Sequence, residues 1–155
     1  MNSLPVMEQF VTLQGEGFFT GKSAVFIRLA GCDVGCSWCD VKESWDADEH
    51  PVLRVEEIVN EVLKYPTDFV VITGGEPTLH NLNTLVKALK KYNKYIAIET
   101  AGTNPLPNGI DWVCFSPKKF KKPIDEIYSQ VNELKVVINN ICLLYTSDAA
   151  DDWFC

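Results

Sequence analysis

Short apolar runs alternate along the chain with segments whose apolar residues recur at helical spacing. Five runs have the length and composition of β-strands: AVFIRL at 24–29, FVVI at 69–72, YIAI at 95–98, DWVCF at 111–115 and LKVVI at 134–138. Apolar positions three or four residues apart predict amphipathic helices over 55–63 and 82–89. Because strands that are apolar throughout are buried on both faces, this alternation favours an α/β fold with a mostly parallel sheet.

Weaker patterns occur at both ends of the chain. Residues 6–13 predict an edge strand, and 124–130 predict a short helical segment. From Cys142 onward the sequence CLLYTSDAADDWFC has neither period and resembles translated sequencing-adaptor read-through, although a natural polar tail would also fit. We therefore predict one domain over 1–141 and a non-native or disordered tail over 142–155.

Each unusual polar motif begins where a predicted strand ends. The pairs are GCDVGCSWCD after AVFIRL, TGGEP after FVVI, ETAGT after YIAI and SPKK after DWVCF. In parallel α/β architectures the loops at the carboxyl ends of the strands share one edge, and that edge carries the site. The four motifs are therefore expected to converge on one crevice.

Composition narrows the functional classes. The 155-residue chain has a net charge of −7, which argues against sequence-independent nucleic-acid binding because such binding needs a basic surface. Its first residues, MNSLPVMEQF, lack the basic start and apolar run of a signal peptide, and no apolar stretch approaches the roughly 20 residues of a membrane span. The predicted location is the cytoplasm, where six cysteines are expected as thiols or metal ligands rather than disulfides.

Three cysteines, Cys32, Cys36 and Cys39, lie within eight positions of GCDVGCSWCD. A structural zinc site would need a fourth ligand, for which His50 is the nearest candidate. Three buried structural cysteines are a second interpretation, which the glycine-rich loop disfavours. A third is a four-iron cluster held by three thiolates, with one iron open to another ligand. The spacing by itself leaves zinc and iron–sulfur both open.

The pattern C-x3-C-x2-C, with a tryptophan before the last cysteine, resembles the signature of the radical S-adenosylmethionine (SAM) enzymes. The resemblance implies that Cys32, Cys36 and Cys39 hold a [4Fe–4S] cluster whose open iron binds the amino and carboxylate groups of SAM. TGGEP at 73–77 resembles the GGEP motif of that superfamily, whose backbone receives the methionine amino group; a plain Gly-Gly turn is the alternative. The implied fold is an incomplete (βα) barrel with its site at the carboxyl ends of the strands.

Within this superfamily the chain resembles the 7-carboxy-7-deazaguanine synthases. The resemblance begins with FVTLQGEGFFTGKSAVFIRLAGCDVGCSWCD and continues through VKESWDA, TGGEP, IET-x-G and SPKKFK to LKVVI, over about residues 5–141. It implies a radical ring contraction of 6-carboxy-5,6,7,8-tetrahydropterin to 7-carboxy-7-deazaguanine with loss of ammonia, in queuosine biosynthesis. A glycyl-radical activating enzyme is the rival in the same class. A zinc-binding module or a non-catalytic metal-binding fragment is the rival in a different class.

The resemblance also implies residues for the substrate. Those expected to bind the pterin are Leu13, Gln14, Gly15, Arg28 and Thr73. Arg28, Gln14 and Glu16 are expected to be catalytic, with Arg28 pairing with the substrate carboxylate because a guanidinium suits that geometry. A strand arginine in a surface ion pair is the alternative interpretation of Arg28.

A second set of residues is implied for the cofactor. It comprises Trp38, Cys39, Asp40, Gly75, Glu99, Ser116, Pro117 and Lys118. For Glu99 a helix-capping or solvent-facing role is the alternative.

One position departs from the family's pattern. The family often has Thr or Ser directly after the Cys-Asp pair, as a ligand to a catalytic Mg²⁺, and this chain has Val41 there. Valine has no side-chain oxygen, so Mg²⁺ could bind only through substrate, backbone or water.

The basic run at 118–122 has two interpretations. Such a run is usually a solvated face. The functional alternative is a docking surface for an acidic electron donor such as flavodoxin, which would reduce the cluster. The resemblance further implies a homodimer.

Overall fold

A computed structural model describes residues 3–138, which fold into one open seven-stranded sheet with two α-helices. The elements are β1 (Ser3–Leu13), β2 (Ser23–Leu29), β3 (Val52–Arg54), α1 (Val55–Val62), β4 (Phe69–Gly74), α2 (Asn83–Lys90), β5 (Tyr95–Thr100), β6 (Trp112–Phe115) and β7 (Glu133–Leu134). Short 3₁₀ turns occupy Lys42–Ser44, Ala47–Glu49, Pro77–Leu79 and Asp125–Ser129.

The sheet has the strand order β3-β1-β2-β4-β5-β6-β7. β2, β4, β5, β6 and β7 run parallel, whereas β1 pairs antiparallel with both β2 and β3. The predicted α/β class and the mostly parallel sheet are therefore confirmed. The sheet does not close into a barrel. We call the face that carries the cleft described below the concave face.

The helices cover the opposite face of the sheet. Helix α1 buries Val55, Ile58, Val59 and Val62, which follow helical spacing and therefore lie on one side. Its first turn is capped by Glu57, whose carboxylate accepts a hydrogen bond from the Arg54 backbone N–H at 2.8 Å. The apolar face of α2 joins α1 and the sheet in one core, and each fully buried Leu or Ile there contributes about 1.5–3 kcal/mol.

Two strand predictions differ in extent from the structure. The strand predicted at 6–13 begins earlier, at Ser3, and β3, which the sequence pattern did not reveal, pairs only with Ser3–Pro5, so 6–13 pairs with β2 alone among the described strands, as an edge strand does. The strand predicted at 134–138 shrinks to Glu133–Leu134. Its partner β6 ends at Phe115, which accepts a last hydrogen bond from the Lys135 N–H at 2.8 Å, so an apolar run alone does not extend the strand.

The remaining predictions concern the ends of the chain. The helical segment predicted at 124–130 is a 3₁₀ turn over Asp125–Ser129. The domain boundary at 141 and the tail over 142–155 lie outside the described residues. Within residues 3–138 no helix combines the length and apolar character that crossing a membrane requires.

Candidate active site

The three clustered cysteines lie on the loop that leaves the carboxyl end of β2. Cys32, Cys36 and Cys39 are all free thiols, and Cys36 is buried against Val34 and Ala101. The loop turns back on itself where the Cys39 N–H donates to the Cys36 carbonyl at 3.0 Å. This folding brings three soft sulfur ligands to one side of the sheet edge.

Backbone hydrogen bonds anchor this cysteine loop to its surroundings. The Gly31 N–H donates to the Ser44 carbonyl at 2.7 Å, and the Cys32 N–H donates to the Trp45 carbonyl at 3.2 Å. On the other side, the His80 Nε2 lies 2.6 Å from the Ala30 carbonyl oxygen. His80 is a contact that sequence reasoning missed, because nothing in its local pattern marks it as a neighbour of a loop fifty residues earlier.

The TGGEP loop packs directly against the cysteine loop. The Gly75 N–H donates to the Leu29 carbonyl at 3.0 Å, and the Glu76 N–H donates to the Gly31 carbonyl at 2.9 Å. A Cβ at Gly75 would overlap the Gly31 carbonyl and lie 2.8 Å from the Cys32 Cβ. A Cβ at Gly74, where φ is +144°, would lie 2.0 Å from the Leu29 carbonyl oxygen. Glycine is needed at both positions because the two backbones touch.

Glu76 fastens the TGGEP loop to the end of β5. Its side chain is 1% exposed, and its carboxylate accepts hydrogen bonds from the Thr100 hydroxyl at 2.5 Å, the Ala101 N–H at 2.7 Å and the Thr78 hydroxyl at 2.6 Å. The Thr78 N–H donates a fourth bond at 3.1 Å. A buried carboxyl group is tolerated here because its oxygens are fully hydrogen-bonded.

The SPKK segment closes over the cysteine loop from the β6 side. The Lys118 ammonium lies 5.4 Å from the centroid of the Trp38 ring, and Trp38 also packs against Phe120. The Lys121 ammonium forms an ion pair with Asp33, which lies between the first two clustered cysteines. Three contacts therefore hold this segment to a loop that lies 80–88 residues earlier in the sequence.

The other residues implied for the cofactor lie around the same edge. Ser116 is buried and accepts a hydrogen bond from the Lys118 ammonium at 2.5 Å, and Pro117 is half-buried between them. Asp40, by contrast, is exposed. The four strand-end motifs thus converge as predicted, and the contacts are made by parts of the chain that lie far apart in sequence.

The donor set at this edge fits an iron–sulfur cluster. Burial raises the pKa of the Cys36 thiol, while the nearby Lys118 cation acts to lower it. Burial in turn lowers the pKa of Lys118. On the cysteine loop itself, the indole N–H of Trp38 is buried without a hydrogen-bond partner among residues 3–138, as is that of Trp45.

A single-metal site has less support. No three His, Cys, Asp or Glu side chains in residues 3–138 are grouped so that they could hold one metal ion. His50, the candidate fourth zinc ligand, places its Nε2 2.7 Å from the Glu43 carbonyl oxygen instead. With His50 engaged elsewhere, the three clustered thiols are one ligand short of the four that a closed zinc site needs.

One row of polar side chains crosses the concave face below the loops. Strand register places six residues side by side across six strands: Glu8, Arg28, Thr73, Glu99, Cys114 and Glu133. The row beneath it is apolar, with Phe26, Val71 and Ala97 among its members. The concave face therefore has an apolar floor and a polar rim, the arrangement that orients a small ligand.

A small cleft that is partly open to solvent lies over this floor, and it is the cavity referred to below. Because β1 runs antiparallel to β2, LQGEG begins at the edge of the sheet opposite the cysteine loop. Gln14 and Glu16 nevertheless line the cavity. The Glu99 carboxylate accepts hydrogen bonds from Thr73 Oγ1 at 3.1 Å and Gln14 Nε2 at 3.4 Å. Four predicted site residues therefore line this cavity or bond to its lining: Gln14, Glu16, Thr73 and Glu99. The family resemblance had placed Glu99 at the cofactor rather than at the substrate.

The other predicted substrate residues lie outside this cavity. The Arg28 guanidinium pairs with Glu8 at 2.7 Å and lies 6.0 Å from the centroid of the Phe10 ring, at the β1 side of the polar row. Leu13 is 62% exposed, and Gly15 is exposed as well. Arg28 therefore forms the ion pair of the alternative interpretation. Strand register nevertheless places it on the concave face, next to Thr73.

Two cavity residues were missed by the sequence analysis. The Lys135 ammonium lies 2.5 Å from Glu16 and 3.8 Å from Glu99. Glu133 accepts a hydrogen bond from the Trp112 indole N–H at 3.0 Å. Lys135 lies in the segment predicted as an apolar strand at 134–138, and Glu133 lies one residue before it; strand alternation could have shown that the two side chains share a face.

Cys114 lies among these charged groups but is not part of the thiolate set. Burial, with smaller contributions from Glu99 and Glu133, raises the pKa of its thiol to about 12. A thiol with that pKa remains protonated at neutral pH and is a poor metal ligand.

Comparison with known proteins gives a consistent set of similarities. Residues 26–144 match the model of the radical SAM superfamily. The 7-carboxy-7-deazaguanine synthase of Flavobacterium psychrophilum is 50% identical over 137 residues, covering 88% of this chain and 65% of that protein. The enzyme of the same name from Escherichia coli K12 is 37% identical, with 88% and 73% covered. The crystal structure of QueE from Escherichia coli superposes with a TM-score of 0.83 at 33% identity, over 94% of this chain and 75% of that one.

The chain matches only part of the length of these relatives. The chain spans 65–66% of the length of the curated relatives from Flavobacterium psychrophilum and Synechocystis. The part matched by the superfamily model nevertheless includes the cysteine loop, TGGEP, the SPKK segment and every residue of the polar row except Glu8.

Proposed function

Because this chain belongs to the 7-carboxy-7-deazaguanine synthase family of the radical SAM superfamily, we propose that it converts 6-carboxy-5,6,7,8-tetrahydropterin to 7-carboxy-7-deazaguanine and ammonia. One observation carries the proposal. The loop with three free cysteines lies at the carboxyl edge of the same sheet whose concave face presents a polar row over an apolar floor. The oxidising group and its substrate would therefore meet at one edge.

The cysteine loop would hold the cofactor. Cys32, Cys36 and Cys39 would bind the [4Fe–4S] cluster, and the Gly75 backbone, pressed against that loop, would receive the amino group of SAM. When bound and reduced, this group supplies a 5′-deoxyadenosyl radical that abstracts hydrogen from the substrate. Trp38, Ser116 and Lys118, which pack over the loop, would shield it from water and oxygen.

The concave face would hold the pterin. Arg28 would exchange its Glu8 partner for the substrate carboxylate, since a guanidinium can bind that group through two parallel hydrogen bonds. Gln14, Thr73 and Glu99 already form a hydrogen-bonded set at the cavity and would offer donors and acceptors to the ring. A flat ring would rest on the partly buried Phe19 and Trp112, which line the cavity.

Magnesium does not enter the proposal. Val41 offers no side-chain oxygen, and its carbonyl already accepts a hydrogen bond from the Ser44 hydroxyl at 2.7 Å. The residues present at this position therefore do not fit a side-chain magnesium ligand.

We propose the basic segment at 118–122 as the docking surface for an acidic electron donor such as flavodoxin. Lys121 pairs with Asp33, and Lys118 contacts Trp38 and Ser116, so the exposed Lys119 and Lys122 would make the contact. Lys122 would give up its exposed partner Asp125, 3.8 Å away, to do so. Reversing both charges should slow flavodoxin-driven turnover and leave dithionite-driven turnover unchanged, because the chemical reductant needs no docking. Equal flavodoxin-driven rates in the variant and the wild type would remove the idea.

The family also leads us to propose a homodimer that works in the cytoplasm. Four free cysteines among the described residues suit a reducing compartment. Sedimentation of the purified protein, with a monomer as the contrary result, tests the dimer.

The function is tested by anaerobic incubation of the reconstituted, reduced protein with SAM and the carboxytetrahydropterin. Mass spectrometry should detect 7-carboxy-7-deazaguanine together with ammonia. Formation of 5′-deoxyadenosine without any deazapurine would reject this substrate and favour a rival such as a glycyl-radical activating enzyme.

A further inference from the structure

The cavity on the concave face has an unbalanced set of charges. Three carboxylates line it, from Glu16, Glu99 and Glu133. Lys135 is the one cation among the described residues that line it, because Arg28 lies at the far side of the polar row, paired with Glu8. A ligand that carries a negative charge would meet net repulsion here unless a cation offsets it.

Lys135 is placed to offset that repulsion. Its ammonium lies between two of the carboxylates, 2.5 Å from Glu16 and 3.8 Å from Glu99, and its side chain is 34% exposed. Glu99 in turn accepts hydrogen bonds from Gln14 and Thr73. One lysine thus joins residues from the β1–β2 loop, β4 and β5 into a single network.

The position of Lys135 is fixed by the backbone. Its N–H donates to the Phe115 carbonyl at 2.8 Å, which extends the β6–β7 pairing by one residue and directs the side chain to the face that carries Glu133. The ammonium remains protonated in this setting. Burial acts to lower the pKa of Lys135, but the hydrogen bond to Glu16 and the charge of Glu99 raise it overall.

We infer that Lys135 determines specificity for an anionic pterin, a role that rests on the proposed function. By neutralising part of the charge of Glu16 and Glu99 it allows a carboxylated ring to enter the cavity, and it holds both carboxylates as acceptors for the ring N–H groups. Lys135 acts on the substrate through these two side chains and is therefore a positioning residue.

The test compares two ligands on the cluster-loaded, unreduced protein with SAM present. One is 6-carboxytetrahydropterin, and the other is a tetrahydropterin with a neutral methyl group in place of the carboxylate. Lys135→Met should weaken binding of the carboxylated ligand about tenfold, which corresponds to ~1.4 kcal/mol. Binding of the neutral ligand should change less than about twofold, because it meets no like charge.

Three further variants secure the comparison. Lys135→Arg should keep the preference for the carboxylated ligand, because it keeps the charge. Lys135→Gln replaces the methionine variant if that one does not fold. Lys87→Met removes the same charge from an exposed position on α2, outside the cavity, and should change neither affinity.

Each outcome has one meaning. If Lys135→Met binds both ligands more weakly by the same factor, Lys135 only maintains structure and the inference is overturned. Unchanged affinity of that variant for both ligands overturns it as well. If the wild-type protein binds neither pterin, the proposed function fails and the inference fails with it.

Discussion

Replacing Gly75 by alanine tests the contact between the TGGEP loop and the cysteine loop. The added Cβ would overlap the Gly31 carbonyl and stand 2.8 Å from the Cys32 Cβ, where an ordinary contact is at least 3.4 Å. Relieving the second contact alone displaces the cysteine loop by about 0.6 Å, and such overpacking typically costs ~1–3 kcal/mol.

The same displacement weakens two hydrogen bonds. The Gly75 N–H to Leu29 and the Glu76 N–H to Gly31 each contribute ~0.5–1.5 kcal/mol. We therefore expect the free energy of unfolding to fall by about 2–4 kcal/mol, which for a chain of this size lowers the Tm by roughly 4–16 °C.

Chemical denaturation of the metal-free protein measures this loss, and Gly15→Ala is the matched control. A Cβ at Gly15 meets no atom within 4 Å, and the backbone there is outside the left-handed region. That variant should be unchanged or more stable by up to about 1 kcal/mol, because alanine reduces the entropy of the unfolded chain. If both variants unfold at the same denaturant concentration as the wild type, the two loops are not in contact as described.

Three shorter predictions address the rest of the site. Glu76→Gln should lower the free energy of unfolding by about 2–4 kcal/mol, because the new amide hydrogens face groups that are themselves donors; an unaltered denaturation midpoint would contradict the buried hydrogen-bond set. The free energy of unfolding should fall as pH rises from 9 towards 12, because the unfolded Cys114 thiol ionises near its ordinary pKa of 9.0 while the folded thiol keeps its proton to a pKa of about 12. Cys114→Ala should flatten this part of the plot of stability against pH, and an equally steep plot in that variant would contradict the prediction. Asp33→Asn and Lys121→Met should each speed alkylation of the clustered thiols in the metal-free protein, and the double variant should be no faster than either; independent, additive effects would show that the ion pair does not hold the loop.

Much of the fold was accessible from the sequence because local pattern and tertiary structure agree. The apolar runs at 24–29, 69–72 and 95–98 form parallel strands that are buried on both faces, so periodicity and composition were sufficient. β3 could not be predicted from the sequence. Three residues with an exposed valine carry no period, and they form a strand because the start of β1 offers a partner.

The candidate site divides in a similar way. Cys32, Cys36, Cys39 and TGGEP follow from motifs whose chemistry depends on local spacing, and their loops lie together as the strand order requires. The role of Lys135 depends on contacts between distant segments, because its ammonium meets Glu16 and Glu99 only in the folded chain. Such pairings between distant segments are not encoded in any short window of sequence.

The central claim is that the three clustered cysteines hold a cluster with one iron open to SAM. Anaerobic reconstitution with iron and sulfide, followed by reduction and electron paramagnetic resonance, tests it directly. We expect a brown protein with the iron content of a [4Fe–4S] cluster, a signal that shifts when SAM is added, and loss of both in a variant with serine at positions 32, 36 and 39 but not in Cys114→Ala. A colourless protein that binds zinc one-to-one, or a signal indifferent to SAM, would contradict the account.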